Sequence, residues 1–322
     1  MKPREILTWK FPFYHGLLPA LRKLGPGRAD AAMEVMGRAS TALWPPRRRR
    51  FAEALAHASG ASTGPDDPGA LAAGVLRFLA RDYLLDTDDA AAALGLFDVS
   101  GAAALSGALA EGRGAVLVGS HLGGHIAAFH WLYRSGVALR LMVQRPKHVA
   151  KALDAFFDRD EPDPQSLFFL RRSLNPTECV SRLVRCRSAL RSGKAVYLPG
   201  DIPWQGQNTR SGRLLGQTRR VLSVWADLSA LTGAPVFYVF CTHLPGGRHA
   251  LTFEPAGRIA PGGESAAVSR YLSRLDARIA DHPADAVAHL LWPCYGSPRP
   301  ESSPRPAAAV RPSRRVAALP SV

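Results

Sequence analysis

The spacing of apolar positions divides the chain into two regions. Residues 29–58 and 69–97 have the Ala- and Leu-rich spacing of helices, interrupted by a Trp-Pro-Pro tripeptide and by a turn-forming run rich in Ser, Gly, Asp and Pro. From residue 113 onward, short apolar runs typical of buried strands alternate with helix-like segments. We therefore expect an N-terminal helical region followed by an α/β core.

The core is predicted from five apolar runs and the helix-like segments between them. The strands are expected at residues 115–119, 139–143, 195–198, 236–241 and 250–253, and the helices at residues 126–133, 149–157, 177–191 and 221–231. Strands that alternate with helices pack into a sheet with helices on both faces. The fold class is predicted as α/β, with a mixed, largely parallel sheet flanked by helices.

Composition divides the chain into three segments. Residues 1–28 place aromatic and aliphatic side chains between Lys and Arg, which is typical of a membrane-interfacial segment. The same side chains would equally suit packing on the protein's own body. Residues 29–296 are expected to form one domain, with a helical part at 29–112 and the α/β core at 113–296. Residues 297–322, mostly Pro, Ser, Ala and Arg, predict a disordered basic tail.

Charge is concentrated at the two ends of the chain. The net charge is +15, with eleven Lys/Arg against three acids in residues 1–50 and five against one in residues 297–322. Residues 51–296 carry nearly equal numbers of positive and negative charges, which is not typical of a nucleic-acid-binding groove. The basic ends of the chain would instead be attracted to an anionic lipid surface. General solubilising charge is the alternative.

Cysteine usage and apolar run length indicate the compartment. The four cysteines have neither metal-ligand spacing nor the density of a disulfide scaffold. No run of 18 apolar residues and no signal-peptide cleavage site is present. We expect a protein of the reducing cytoplasm, attached to the membrane surface without spanning it.

A histidine follows the first predicted strand of the core, in the string Gly-Ser-His-Leu-Gly-Gly-His at residues 119–125. Strand ends in open α/β sheets face a ligand crevice, so His121 is placed where a general base can act. Hydrogen bonding within the local turn is the alternative role for His121. The string matches neither of the two glycine spacings of nucleotide-binding loops, Gly-x-Gly-x-x-Gly and Gly-x4-Gly-Lys-Ser/Thr, so no phosphate-binding loop is predicted. The chain contains no Gly-x-Ser-x-Gly, so no nucleophile elbow is predicted either.

Five motifs in sequence order resemble those of one enzyme family. They are the strand and turn at residues 114–124, Gln-Arg-Pro-Lys at 144–147, the strand that ends in an acid at 194–201, Gly-Arg-Leu-Leu-Gly at 212–216, and Ala-Leu-Thr-Gly-Ala-Pro-Val at 230–236. Together they resemble the lipid A lauroyl/myristoyl acyltransferases and the wider glycerolipid acyltransferase superfamily. The resemblance covers roughly residues 30–290.

The resemblance implies an acyltransferase that uses neither a metal nor a cofactor. Its histidine would take the proton from a hydroxyl of a lipid or glycolipid, which attacks an acyl thioester of acyl carrier protein or coenzyme A. It also implies a peripheral protein on the cytoplasmic face of the bacterial inner membrane. Anionic membrane lipids are then expected partners, and nucleic acid is not.

The family pairs its histidine with an acid in a His-x4-Asp/Glu pattern, and here Ile126 occupies the position of the acid. Isoleucine can neither accept a hydrogen bond nor balance an imidazolium charge. Asp201, Glu178 and His125 are candidate substitutes, and the two carboxylates are favoured because only they restore the negative charge. A cap or turn role is the alternative for both acids.

Substrate contacts are predicted at residues around this turn and at three arginines: Gly123, Gly124, His125, Arg145, Arg171 and Arg172. Guanidinium groups suit phosphate or a developing oxyanion, although surface solvation fits Arg171 and Arg172 equally well. Two alternative functions stay open. The first is a catalytically impaired relative that binds acyl lipid or acyl carrier protein, which Ile126 in place of the acid would suit. The second is an acyltransferase that acts on a non-lipid metabolite.

Overall fold

The structure is a computed structural model that describes residues 10–58, 67–143, 149–151, 153, 167–169, 176–204 and 208–292. The helices of this part of the chain are α1 (Lys10–Pro12 and Leu18–Lys23, joined by a π-helical segment at Phe13–Leu17), α2 (Pro26–Leu43), α3 (Pro45–Ala58), α4 (Pro68–Ala80), α5 (Ala90–Leu94), α6 (Ala102–Ala110), α7 (His125–Arg134), α8 (Pro176–Arg191), α9 (Val224–Thr232), α10 (Glu264–Asp281) and α11 (Val287–Leu291). Short 3-10 helices occur at Tyr83–Leu85 and Pro283–Asp285.

The strands form one large sheet and one hairpin. They are β1 (Phe97–Ser100), β2 (Ala115–Gly119), β3 (Leu139–Val143), β4 (Leu167–Phe169), β5 (Ala195–Pro199), β6 (Thr209–Leu214), β7 (Gln217–Leu222), β8 (Val236–Leu244) and β9 (Arg248–Gly257). The large sheet has the order β1-β9-β8-β2-β5-β3-β4, and its neighbouring strands are parallel except for β8 and β9. Strands β6 and β7 pair separately as an antiparallel hairpin. The predicted α/β fold with a mixed, largely parallel sheet is confirmed.

Each face of the sheet buries its own apolar cluster. The cluster that includes α9 and α10 surrounds Trp225 and Tyr271, and the cluster that includes α7 contains Phe129. Because successive side chains of a strand point to opposite faces, β2 gives Val116 to the first cluster and Leu117 to the second. Packing on both sides fixes β2, and with it the turn that follows.

The N-terminal helices pack on the body of the protein. Phe13, Tyr14, Leu18 and Leu21 of α1 are buried in one cluster with Met33 of α2. The sequence left two roles open for the side chains of this segment, and the burial of these four residues in a protein core favours packing on the protein's own body over a membrane-interfacial position. Residues 1–9 of the predicted interfacial segment lie outside the described residues.

The helix predicted at residues 69–97 is shorter than expected. It ends at Ala80, where the backbone of Arg81 takes a φ of +53°. Phe97–Ser100 instead form β1, because the edge of β9 offers it a parallel partner. The predicted break between α2 and α3 at the Trp-Pro-Pro tripeptide is confirmed.

The β6–β7 hairpin and helix α10 are among the elements that the sequence did not predict. The β6–β7 hairpin carries mainly polar residues in Thr-Arg-Ser-Gly-Arg-Leu and Gln-Thr-Arg-Arg-Val-Leu, so its strands have no apolar run. Helix α10 packs on the sheet through Val268, Leu272 and Leu275. Most of the predicted helix at 149–157 and the whole tail at 297–322 lie outside the described residues. Among the described helices, none has both the length and the apolar character needed to cross a bilayer.

Candidate active site

The carboxyl ends of two adjacent parallel strands bring a histidine and an acid together. His121 lies two residues beyond β2, and Asp201 lies two residues beyond β5. Parallel strands end at the same edge of a sheet, which is the edge where open α/β folds bind ligands. The sheet register therefore places His121 and Asp201 side by side, although 80 positions separate them in the sequence.

Asp201 binds both the backbone and the ring of His121. Its Oδ2 accepts a hydrogen bond from the His121 backbone N at 2.6 Å, and its Oδ1 lies 2.9 Å from Nδ1 of the ring. A third contact comes from His289 of α11, whose Nε2 is 2.8 Å from Oδ2. The carboxylate beside His121 is thus that of Asp201.

Charge and hydrogen bonding keep Asp201 ionised. Burial alone would raise the pKa of its carboxyl, but the attraction of His121 and the hydrogen bonds from His121 and His289 outweigh it and hold the pKa well below its usual range. A carboxylate can only accept, so Nδ1 of His121 donates its proton to Oδ1. In this tautomer Nε2 carries the lone pair, which is the state that a general base needs.

Ile126 has no part in this pair. It lies in the first turn of α7 and is buried in the apolar cluster beneath that helix, 4 % exposed. A core side chain therefore occupies the position of the acid in the His-x4-Asp/Glu pattern, and the carboxylate beside His121 comes from the segment that follows β5.

Gly123 and Gly124 shape the turn after His121. The Gly123 N–H donates to the carbonyl of Asp285, and the Gly124 N–H donates to the carbonyl of Cys241. A Cβ at position 123 would lie 2.6 Å from the Cys241 carbonyl oxygen, at a φ of +52°, and one at position 124 would lie 2.8 Å from Nδ1 of His249. Both N–H groups are engaged within the protein, so the two glycines have a structural role in the turn, and the predicted substrate contact stays a prediction.

Aromatic rings form a wall beside His121. The His125 ring centroid lies 5.1 Å from that of His121 and 5.3 Å from that of Phe78 on α4, and the Trp292 ring lies 5.8 Å from that of His121. Burial lowers the pKa of His125 well below its usual value, and the neighbouring His121 and Arg81 lower it further. His125 is therefore a neutral part of this wall at neutral pH, close enough to meet a ligand of His121.

A second histidine–aspartate pair braces the same turn. His243, near the end of β8, donates its backbone N–H to Oδ2 of Asp285 at 2.8 Å, and its Nδ1 lies 2.8 Å from Oδ1. The geometry repeats that of His121 and Asp201, and the Asp285 carbonyl holds Gly123. The short segment from Pro283 to Trp292 thus contacts the turn, the orienting acid and the histidine ring.

The sequence interpretation missed Asp285, His289, His243 and Trp292. Asp285 and His289 are four positions apart, a spacing that places two side chains on one helical face, but helix α11 has only five residues and no periodic pattern. The structure does not describe the side chains of the remaining predicted residues. Glu178 belongs to α8, but its side chain is outside the described part of the structure, and Arg145, Arg171 and Arg172 lie outside the described residues.

No protein-family model matches this chain, and no curated protein is significantly similar to it.

Proposed function

We propose that the protein transfers a fatty acyl group from an acyl thioester, carried by acyl carrier protein or coenzyme A, to a hydroxyl of a lipid or glycolipid. His121 is the general base, and Asp201 orients it. The observation that carries the proposal is the two-point contact of the Asp201 carboxylate with the backbone N and Nδ1 of His121.

The position of the pair supports this role. The histidine lies at the carboxyl edge of a parallel sheet, and 21 % of its side chain is exposed, while Asp201 is fully buried. A buried acid behind a partly exposed imidazole is the arrangement in which the acid fixes the ring and only the ring meets the substrate. Asp201 also weakens the case for an impaired relative, since that hypothesis was motivated by the missing acid.

The chemistry needs only proton transfer and acyl transfer. Nε2 of His121 takes the proton of the acceptor hydroxyl as its oxygen attacks the thioester carbonyl. The tetrahedral intermediate collapses with cleavage of the C–S bond, and the departing thiolate recovers the proton from the imidazolium. An ester and a free thiol result, and Asp201 stabilises the transient positive charge on the ring.

The test is acyl transfer measured in two ways with wild type and with His121→Asn. The protein is incubated with a long-chain acyl-coenzyme A or acyl carrier thioester and vesicles of bacterial membrane lipids. Thiol release and the mass of the acylated lipid are then followed together. We expect His121→Asn to lower the rate of both by about 100-fold or more, because general-base catalysis contributes on the order of 100- to 10,000-fold.

His15→Asn is the matched control, since His15 is exposed on α1. It should transfer acyl groups at the wild-type rate. Equal rates for wild type and His121→Asn would exclude His121 as the base. Thiol release that appears only with a small soluble alcohol would assign the protein to a non-lipid acceptor.

A further inference from the structure

The corner between α2 and α3 carries exposed apolar side chains beside a cluster of arginines. Leu43, the last residue of α2, is 85 % exposed, and Trp44, which follows it, is 64 % exposed. Pro45 and Pro46 are exposed as well. Most large apolar residues of the described chain are buried, so adjacent Leu and Trp side chains in solvent make this corner an unusual surface.

The same corner is strongly basic. Arginines 47–50 follow the two prolines, and the only acid among residues 45–58 is Glu53. Arg47 lies over the ring of Phe51, with its guanidinium carbon 5.2 Å from the ring centroid, while arginines 48–50 are exposed. The exposed apolar residues 43–46 are thus followed directly by the cationic residues 47–50 at the start of α3.

We propose that this corner, residues 43–50, binds an anionic lipid bilayer. Tryptophan is enriched at membrane–water interfaces, where its ring lies at the level of the headgroups, and leucine adds apolar area below that level. Arginines beside them attract the negative surface potential of the bilayer. A nucleic acid or an acidic protein would engage the arginines but would leave Leu43 and Trp44 without a role. The combination of exposed Trp, Leu and Arg therefore favours a lipid surface.

The corner is connected to the candidate active site by direct packing. The inner face of α3 buries Phe51 and Leu55 in a cluster with Phe78 of α4 and Val287 of α11. The Phe78 ring lies 5.2 Å from that of Trp292 and 5.3 Å from that of His125, and both of those rings neighbour His121. Only one packing layer separates the helix of the basic corner from the wall of the site.

This arrangement deepens the proposed function, on which its catalytic meaning rests. A protein that docks through α3 holds the wall of its site close to the lipid surface. The acceptor would then be a lipid that stays in the bilayer, reached without extraction into water. Docking itself requires no chemistry at His121, so the two proposals can fail separately.

The test is co-sedimentation of the full-length protein with vesicles of phosphatidylglycerol and phosphatidylcholine, compared with pure phosphatidylcholine. We expect binding to the anionic vesicles. Replacing arginines 48–50 together by glutamine should weaken it about 100-fold at low salt, at about fivefold for each arginine near an anionic surface. Leu43→Ser with Trp44→Ser should weaken it several-fold, and this loss should persist in high salt because apolar burial is not screened.

Matched controls separate the corner from general charge and general apolarity. Gln substitutions at Arg191, Arg213 and Arg258 remove three exposed arginines elsewhere, and Leu231→Ser removes an exposed leucine on α9. Both controls should retain most of the binding. Binding that is lost equally in the controls would overturn the proposal, as would binding that survives both corner variants.

A third measurement addresses other occupants and the link to catalysis. The proposal fails if the variant with Leu43→Ser and Trp44→Ser binds vesicles as well as wild type while the variant with glutamine at positions 48–50 no longer binds heparin. The corner would then be a general polyanion site. If corner variants lose vesicle binding in a protein that transfers no acyl group at all, docking stands and the proposed function falls. If they lose binding and also lose acylation of vesicle lipid, with transfer to a detergent-dispersed acceptor intact, both proposals are supported.

Discussion

His289 Nε2 lies 2.8 Å from Oδ2 of Asp201, and both side chains are fully buried. Asp201 therefore lies between two histidines, the partly exposed His121 on one side and the buried His289 on the other. The carboxylate receives three hydrogen bonds, from the His121 backbone, the His121 ring and His289. A carboxylate held from two sides cannot rotate freely, and we therefore infer that His289 positions Asp201 for the proposed base.

The first prediction concerns His289. We expect His289→Ala to lower kcat by about 10- to 100-fold and to leave KM unchanged, because the buried ring acts on Asp201 and does not meet substrate. The lost hydrogen bond to a charged group should also cost about 1.5–3 kcal/mol of unfolding free energy. Steady-state kinetics and denaturant unfolding measure the two effects.

His289→Gln provides the rescue test, since its side-chain amide can again donate to Oδ2 of Asp201. It should recover a large part of kcat. A variant series in which stability falls but kcat per folded molecule stays constant would reduce His289 to a purely structural residue.

The second prediction concerns Asp201. An amide at this position can donate to Nδ1 of His121 and stabilise the wrong tautomer, which moves the proton to Nε2. Asp201→Asn should therefore lower the acyl-transfer rate by about 100- to 10,000-fold, as in related dyads. Asp88→Asn, at an exposed position, is the charge-matched control and should retain full activity. Near-normal turnover by Asp201→Asn would mean that the base is oriented by another group.

The third prediction concerns Ile126, where the family resemblance places an acid. Ile126→Glu should destabilise the protein by several kcal/mol, on the order of 3–5, because the apolar cluster beneath α7 offers no partner for the charge. It should not increase the rate, since Asp201 already engages Nδ1. Ile126→Val is the control and should cost about 0.5–1.5 kcal/mol. Restored activity in the double variant with Asp201→Asn would show that an acid at position 126 can reach His121.

The fourth prediction concerns stability in acid. Burial, followed by the positive charge of His243, lowers the pKa of His249 from 6.5 to about 3. Between these two values the unfolded chain binds more protons than the folded one, so the free energy of unfolding falls as the pH falls. The contribution is about 1 kcal/mol per pH unit between pH 6 and 4.

His249→Phe removes the titrating group and keeps a ring against Phe97, whose centroid is 5.2 Å from that of His249. Its unfolding free energy should depend less on pH in this window, measured by denaturant titration at several pH values. Part of the dependence will remain because burial also lowers the pKa of His125. His15→Asn should keep the wild-type slope, and an unchanged slope in His249→Phe would contradict the assignment.

The parallel core and the first half of the site follow from local patterns. Short apolar runs mark β2 and β5, and adjacent parallel strands end at one edge, so His121 and Asp201 could both be proposed from sequence. What the sequence did not fix was which acid pairs with His121, since that choice depends on strand order. The structure places β2 beside β5, which selects Asp201.

The second half of the site depends on distant contacts that carry no local pattern. His289 contacts Asp201 across 88 positions of the sequence, and Asp285 contacts His243 across 42.

The sequence also did not show which aromatic residues are buried and which are exposed. Buried and interfacial aromatics have the same neighbours in sequence, and the structure buries Phe13 and Tyr14 while it exposes Trp44.

The segment from Pro283 to Trp292 has a consequence for the order in which the site is made. A nascent chain that has been synthesised to residue 280 already contains His121 and Asp201, but it lacks His289 and Asp285. Its turn and its carboxylate would be unbraced while the protein is still on the ribosome. The contacts around His121 and Asp201 should therefore be complete only after residues 283–292 have emerged and docked, and any acyl transfer of the proposed kind would start no earlier.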